Sequence, residues 1–378
     1  MNAAPEFDQA GRLELIKKIS ESAGASEIDS VTWAFLWLAD ISRLEPLAQY
    51  AKNPDISPYT LSYLRRDYYP ALKDWLCRFR NTNAGKRKEP PTEEPAPDSS
   101  TRSAKAADDA AKRDQHKCIV TKAGEPIDIA HLVSFSLGLR HQRRKEREEF
   151  WGILTCFWST ERIKRWQSAV LENGTETAKN LLSLTKDVHR LFDTARFALR
   201  PVTGTETELE LEFYWMPGGV RQDVNPSNKP IVGHYRNSAK KCKLMDYDSE
   251  EVITSGHVIK IITSNPENLP LPSFDVLEMQ WYLHRVAAIS GAADFVEEPD
   301  DDDNDDDDDV EEVELAEHPT PGVVGRTIEP IWPRISDPAL HQQENQPTTL
   351  SVRRRQQSPG KTRDSSSTRS SPVRRALE

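Results

Sequence analysis

Between Arg113 and Pro201, two histidines, one asparagine and one aspartate stand in settings that any fold must satisfy together. His131 ends the run Ile127-Asp128-Ile129-Ala130, which alternates apolar with polar behind the turn signal Gly124-Glu125-Pro126. Asn180 stands just before the extended apolar stub Leu181–Leu184. His189 and Asp193 lie four positions apart behind Thr185, an N-cap type, so they share one face of a helix expected over Lys186–Ala195. Cys118-Ile119-Val120 is a second β-type run, and the turn between it and Ile127–Ile129 predicts a β-hairpin. The expected class is α+β.

These residue types suit one chemistry. Phosphodiester hydrolysis needs a group that takes a proton from the attacking water, and a neutral imidazole serves near its own pKa. It also needs charge neutralisation at the phosphorus oxygens and the leaving oxygen, which a divalent cation supplies. His131, at a strand end, is the candidate general base. His189 and Asp193 are the candidate metal ligands, and Asn180 is placed to pin the loop that carries His131 or to approach the metal. Mixed nitrogen and oxygen donors fit Mg²⁺, Mn²⁺, Zn²⁺ or Ni²⁺. Arg190 and Arg196 are the candidate nucleic-acid contacts, because guanidinium pairs bidentately with phosphate.

The pieces Arg113-Asp114, Cys118-x-x-Thr121, Ala130-His131-Leu132-Val133, Asn180-Leu181-Leu182 and His189-x-x-Phe192-Asp193-x-x-Arg196-Phe197-Ala198-Leu199-x-Pro201 together resemble the HNH endonuclease family, most closely its fungal branch. The resemblance implies a ββα-metal core, a divalent cation, and cutting or nicking of DNA. It maps the base onto His131, the central asparagine onto Asn180, and metal ligands onto His189 and Asp193. The family often carries a metal-binding residue just before the base histidine, and here that residue is Ala130. Asp128, two positions earlier on the same strand face, is the candidate replacement. The alternative is an HNH-like scaffold, weakly active or inactive, that binds nucleic acid or a protein partner.

The rest of the chain divides by composition. Residues 1–80 show helical spacing (Leu13, Ile16, Ile19; Val31, Phe35, Leu38) and predict a helical module with Ser30 as an N-cap. Residues 81–108, rich in Pro, Glu, Lys and Ser, read as a flexible linker. Residues 109–294 read as the nuclease-like domain. It holds a long helical insertion over Leu139–Glu172 and a β/α extension: strands over Arg196–Arg200, Glu208–Trp215, Ile231-Val232 and Val258–Ile262, then a helix Ser273–Ile289. Residues 295–378 read as a disordered tail, first acidic, then basic and rich in Ser and Arg.

Charge and cysteine usage bound the partners. The formal charge of −11 comes from Glu297–Glu317, which holds 15 acidic side chains and no Lys or Arg. Without it the chain is slightly basic, so an acidic balance does not exclude DNA. The acidic tract is itself a candidate surface for a protein partner. The four cysteines, Cys77, Cys118, Cys156 and Cys242, form no Cys-x-x-Cys pair, which argues against a zinc knuckle or a disulfide framework. No apolar run reaches membrane-spanning length, and a soluble protein of the nucleus or cytoplasm is expected.

Overall fold

The structure is a computed structural model, and it describes residues 3–53, 55, 57–76, 103–134, 137, 144–171 and 174–294. Ten helices are named here in chain order: α1 Arg12–Ala23, α2 Ser30–Leu38, α3 Ile41–Ala51, α4 Ser57–Arg65, α5 Tyr69–Leu76, α6 Ala104–Arg113, α7 Arg144–Phe157, α8 Thr160–Leu171, α9 Lys186–Asp193 and α10 Phe274–Ile289. The strands are β1 Ile28–Asp29, β2 Ile127–His131, β3 Leu181–Thr185, β4 Phe197–Gly204, β5 Glu208–Trp215, β6 Asp223–Val224, β7 Met245–Asp246, β8 Glu251–Val252 and β9 His257–Ile262. Most of the expected linker and all of the acidic and basic tail lie outside the described residues. Among the described residues, no helix is long and apolar enough to cross a membrane.

The centre is α10. Its residues Val276–Ala288 are buried almost without interruption, which fits a helix packed on all sides. Ser273 caps it, its hydroxyl accepting from the Val276 amide at 3.4 Å. Against it lies the antiparallel sheet β4-β5-β9. The sheet forms because Glu208–Trp215 alternates, putting Leu209, Leu211 and Phe213 inward. Two buried polar side chains of α10 bond to β4: Gln280 Oε1 accepts from the Leu199 amide at 3.2 Å, and His284 Nδ1 lies 3.0 Å from the Phe197 carbonyl.

Residues 3–76 belong to the same compact unit as residues 103–294, a packing that the helical spacing of the sequence does not reveal. β1 pairs with β6, α2 packs on α10, and α5 packs on α7. Phe35 of α2 stacks on Phe157 of α7 at 4.6 Å, and Tyr68 meets the same ring edge-on at 4.9 Å. Tyr68 and Tyr69 are both buried. The N-cap of α2 is Asp29, which accepts from the Val31 amide at 2.8 Å. Ser30, expected in that role, donates its hydroxyl to the Ser290 carbonyl at 2.7 Å.

Glu6 anchors the N-terminal segment to α10 through Arg285, whose side chain is fully buried. The Arg285 Nη1 and Nη2 groups donate to the two Glu6 oxygens at 2.8 and 2.9 Å. Burial pushes the Glu6 carboxyl up, but the charge and hydrogen bonds of Arg285 outweigh it and bring the pKa from 4.5 to about 2. A lowered carboxyl pKa contributes stability that is full above 4.5 and is lost as pH falls toward about 2. The expected contribution is about 3 kcal/mol. Urea unfolding across that range should show Glu6→Gln lacking this part of the acid-side loss.

Three expectations are corrected in the domain. The hairpin pairing of Cys118–Val120 with Ile127–Ile129 does not form. Cys118–Ala123 instead closes a turn, with Cys118 N donating to Ala123 O at 2.8 Å and Lys122 N donating to Cys118 O at 2.9 Å. Lys122 adopts a positive φ of 62° within it, a conformation that ends strand geometry. The strand that takes the place of Cys118–Val120 is β3, which pairs antiparallel with β2. Second, α6 begins at Ala104, inside the segment read as linker, capped by the Ser103 hydroxyl, which accepts from the Ala106 amide at 3.1 Å. Third, Ile231-Val232 is not a strand, and Ile231 is exposed.

Candidate active site

A two-stranded ribbon, β2 and β3, leads directly into α9. The register sets Asp128 opposite Leu184, Ala130 opposite Leu182 and His131 opposite Leu181. Residues directly opposite share a face, and successive residues alternate faces. Asp128, Ala130, Leu182 and Leu184 therefore form one face; Ile129, His131, Leu181 and Ser183 form the other. The first face meets α9, where Asp128 reaches His189. The second meets α6, where Ile129 packs on Ala106, Ala110, Ala178 and Leu181.

The structure brings Asp128, His189 and Asp193 together. The His189 Nδ1 atom lies 3.5 Å from Asp128 Oδ2, and Nε2 lies 3.6 Å from Asp193 Oδ1. The contacts are longer than ordinary N–H···O bonds, so neither carboxylate is locked. All three side chains are partly exposed. Among the described residues, neither carboxylate has a Lys or Arg partner. Two carboxylates and an imidazole suit a divalent cation, whose charge would offset theirs. The carboxylates address opposite ring nitrogens, however, so the three side chains do not close on one point. Among the described residues, no group of three His, Cys, Asp or Glu side chains does. The donor chemistry fits a cation, while the arrangement is open. Ala130, on the Asp128 face, is fully buried and adds no donor.

His131 stands apart from this cluster, on the α6 face. Its Nε2 meets Glu176 Oε1 at 2.7 Å. Asn180 is buried and every polar atom of its amide is used: Oδ1 accepts from the Val133 amide at 2.9 Å, and Nδ2 donates to the carbonyls of Val133 and Thr175 at 2.9 and 3.0 Å. It ties the chain after His131 to the chain before itself. Of the two roles open to it in the sequence, its geometry matches the pinning of the His131 loop.

The motif pair Arg113-Asp114 has a structural task. Both side chains are fully buried, with Arg113 Nε 2.7 Å from Asp114 Oδ1. Arg113 also donates to the carbonyls of Ala178 and Leu181, each at 2.7 Å, and Asp114 Oδ2 accepts from the Ser183 amide at 2.9 Å. The pair fastens the end of α6 to β3.

Of the two arginines expected on phosphate, Arg190 is exposed on α9 beside His189. Arg196 is not available: it is buried, and its two Nη groups grip both oxygens of Asp294. The same bidentate fork that suits phosphate is closed on a carboxylate from the end of the domain. Glu176 is the residue that sequence reasoning missed. It lies in Gly174-Thr175-Glu176-Thr177, which reads simply as polar chain after a helix, and only its place four residues before Asn180 sets it near the motif.

Residues 118–200 match the family model described as HNH endonuclease, a span that holds His131, Asn180, His189 and Asp193. No curated protein and no solved structure matches the chain.

Proposed function

We propose that this chain is a metal-dependent endonuclease of the HNH type that hydrolyses DNA phosphodiester bonds. Its general base is His131, and Asp128, His189 and Asp193 are the side chains that would hold the divalent cation. The observation that carries the proposal is the meeting of those three donors where β2 passes α9, inside the segment that matches the HNH family. The ribbon followed directly by a helix supports a ββα-metal core.

In this reading His131 takes the proton of the attacking water as the water oxygen bonds to phosphorus. The bond from phosphorus to the leaving 3′-oxygen breaks with its electron pair, and that oxygen takes a proton from solvent. When bound, a divalent cation supplies charge neutralisation at the phosphoryl and leaving oxygens. Asn180 holds the His131 loop in register with β3, and Arg190 supplies a phosphate contact from the same helix as His189.

A second reading is a weakly active or inactive scaffold that binds nucleic acid or a protein partner. It is favoured by one observation: the alternation of β2 sets His131 and the acidic cluster on opposite ribbon faces, with Ala130 where a further ligand would sit. Incubation of the full chain with supercoiled plasmid and Mg²⁺, Mn²⁺, Zn²⁺ or Ni²⁺ separates the two. The endonuclease produces nicked circles that disappear with His131→Ala. The scaffold gives no nicking with any cation, but salt-sensitive DNA binding that survives His131→Ala.

A further inference from the structure

The partner of His131 is the feature whose task the motif leaves unassigned. Glu176 approaches through two oxygens, each with its own donor: Oε1 meets His131 Nε2 at 2.7 Å, and Oε2 accepts from the Ser103 amide at 2.7 Å. The two side chains are mostly shielded, with 16% and 20% of their surface exposed. Short contacts on both oxygens fix the carboxylate in position and direction.

The surrounding chain holds the pair together from both sides. Asn180 Nδ2 donates to the Thr175 carbonyl, next to Glu176, and to the Val133 carbonyl, two residues beyond His131. The Leu132 amide donates to the Asn180 carbonyl at 2.8 Å. One buried asparagine thus clamps the segment that carries the imidazole to the segment that carries the carboxylate. The Ser103 amide, at the N-cap of α6, adds a third fixed point.

An ionised carboxylate only accepts hydrogen bonds, so the short contact requires the proton of a neutral His131 ring to sit on Nε2. The lone pair is then on Nδ1. Resting on the endonuclease reading above, we infer that Glu176 is the positioning residue of His131: it selects the Nε2–H tautomer, leaves Nδ1 as the atom that takes the water proton, and balances the positive ring that results. Glu176 touches neither substrate nor cation in this account. It acts through the imidazole, as carboxylates behind functional histidines do.

The test uses the full chain labelled with ¹⁵N in histidine. Long-range proton–nitrogen spectra are recorded at about pH 8.5, where an ordinary imidazole is neutral, and His131 is assigned by its loss in His131→Gln. The wild type should show one tautomer, protonated on Nε2. Glu176→Gln is nearly isosteric, but an amide offers one acceptor and one donor, so it cannot serve the His131 and Ser103 N–H groups together. It should give a mixture of tautomers while thermal unfolding confirms a folded chain. Glu176→Ala should do the same. Plasmid nicking should fall about 10- to 100-fold in Glu176→Gln, the range typical of partners behind a functional histidine.

A wild-type ring without the Nε2–H tautomer, or a folded Glu176→Gln whose tautomer is unchanged, overturns the inference whatever the nicking does. A shifted tautomer with undiminished nicking overturns the link to the reaction. A wild type that gives no nicking with Mg²⁺, Mn²⁺, Zn²⁺ or Ni²⁺ removes the endonuclease reading instead, and the spectra alone then decide whether Glu176 governs His131.

Discussion

Replacing Arg113 by Met is expected to lower the free energy of unfolding by about 3–5 kcal/mol, the range for removing one member of a buried ion pair. The guanidinium closes on Asp114 and on the carbonyls of Ala178, Leu181 and Pro270. Methionine fills much of the volume but donates nothing, so Asp114 is left charged and buried while three carbonyls lose a donor. Asp114 then retains the Ser183 amide as its partner. The residues at stake join α6, β3 and the approach to α10, so the loss is felt where the ribbon meets the central helix. Urea unfolding followed by tryptophan fluorescence measures it. Asp114→Leu should cost a similar amount. The double variant should cost clearly less than both single losses combined, because no unpaired charge remains. Additive losses would mean that the two side chains act independently.

Replacing His131 by Ala is expected to reduce the nicking rate by about 10²- to 10⁴-fold, the usual contribution of a positioned general base. The imidazole is the chain's candidate proton acceptor at a strand end, held by a loop that Asn180 fastens at Val133. The substitution also leaves the mostly shielded Glu176 carboxylate without its His131 partner, so thermal unfolding is recorded alongside to establish that the chain is folded. A rate equal to the wild type, with the fold intact, would show that any nicking proceeds without this residue.

Local pattern made much of the fold legible. The alternation of Glu208–Trp215 gives β5 with the expected bounds, and the apolar content of Ser273–Ile289 gives α10 to within one residue. The spacing of His189 and Asp193 puts both on one helix face, and the two-residue step from Ala130 to Asp128 puts that carboxylate toward them; the distances follow from those two periodicities. What local pattern does not encode is which distant segment completes a contact. Cys118–Val120 and Leu181–Leu184 are both apolar and extended in composition, and only the turn at Cys118–Ala123 decides that β2 pairs with the second. Arg196 has the composition of a phosphate contact, but Asp294, nearly a hundred residues later, occupies its fork. Glu176 carries no periodic signal at all, since its position comes from a loop tied at both ends by Asn180 and Ser103. The N-terminal helices show their apolar stripes in the sequence, but the stripes do not reveal that α7 and α10 are what they pack against.

The account depends most on the acidic cluster being a cation site, and direct titration of Mn²⁺ into the full chain tests this without reference to DNA. Calorimetry or the loss of free-ion paramagnetic resonance should report a site that weakens at least tenfold in Asp128→Asn and in Asp193→Asn and vanishes in His189→Ala. A wild type that binds no Mn²⁺, or binding that all three variants retain, would contradict it.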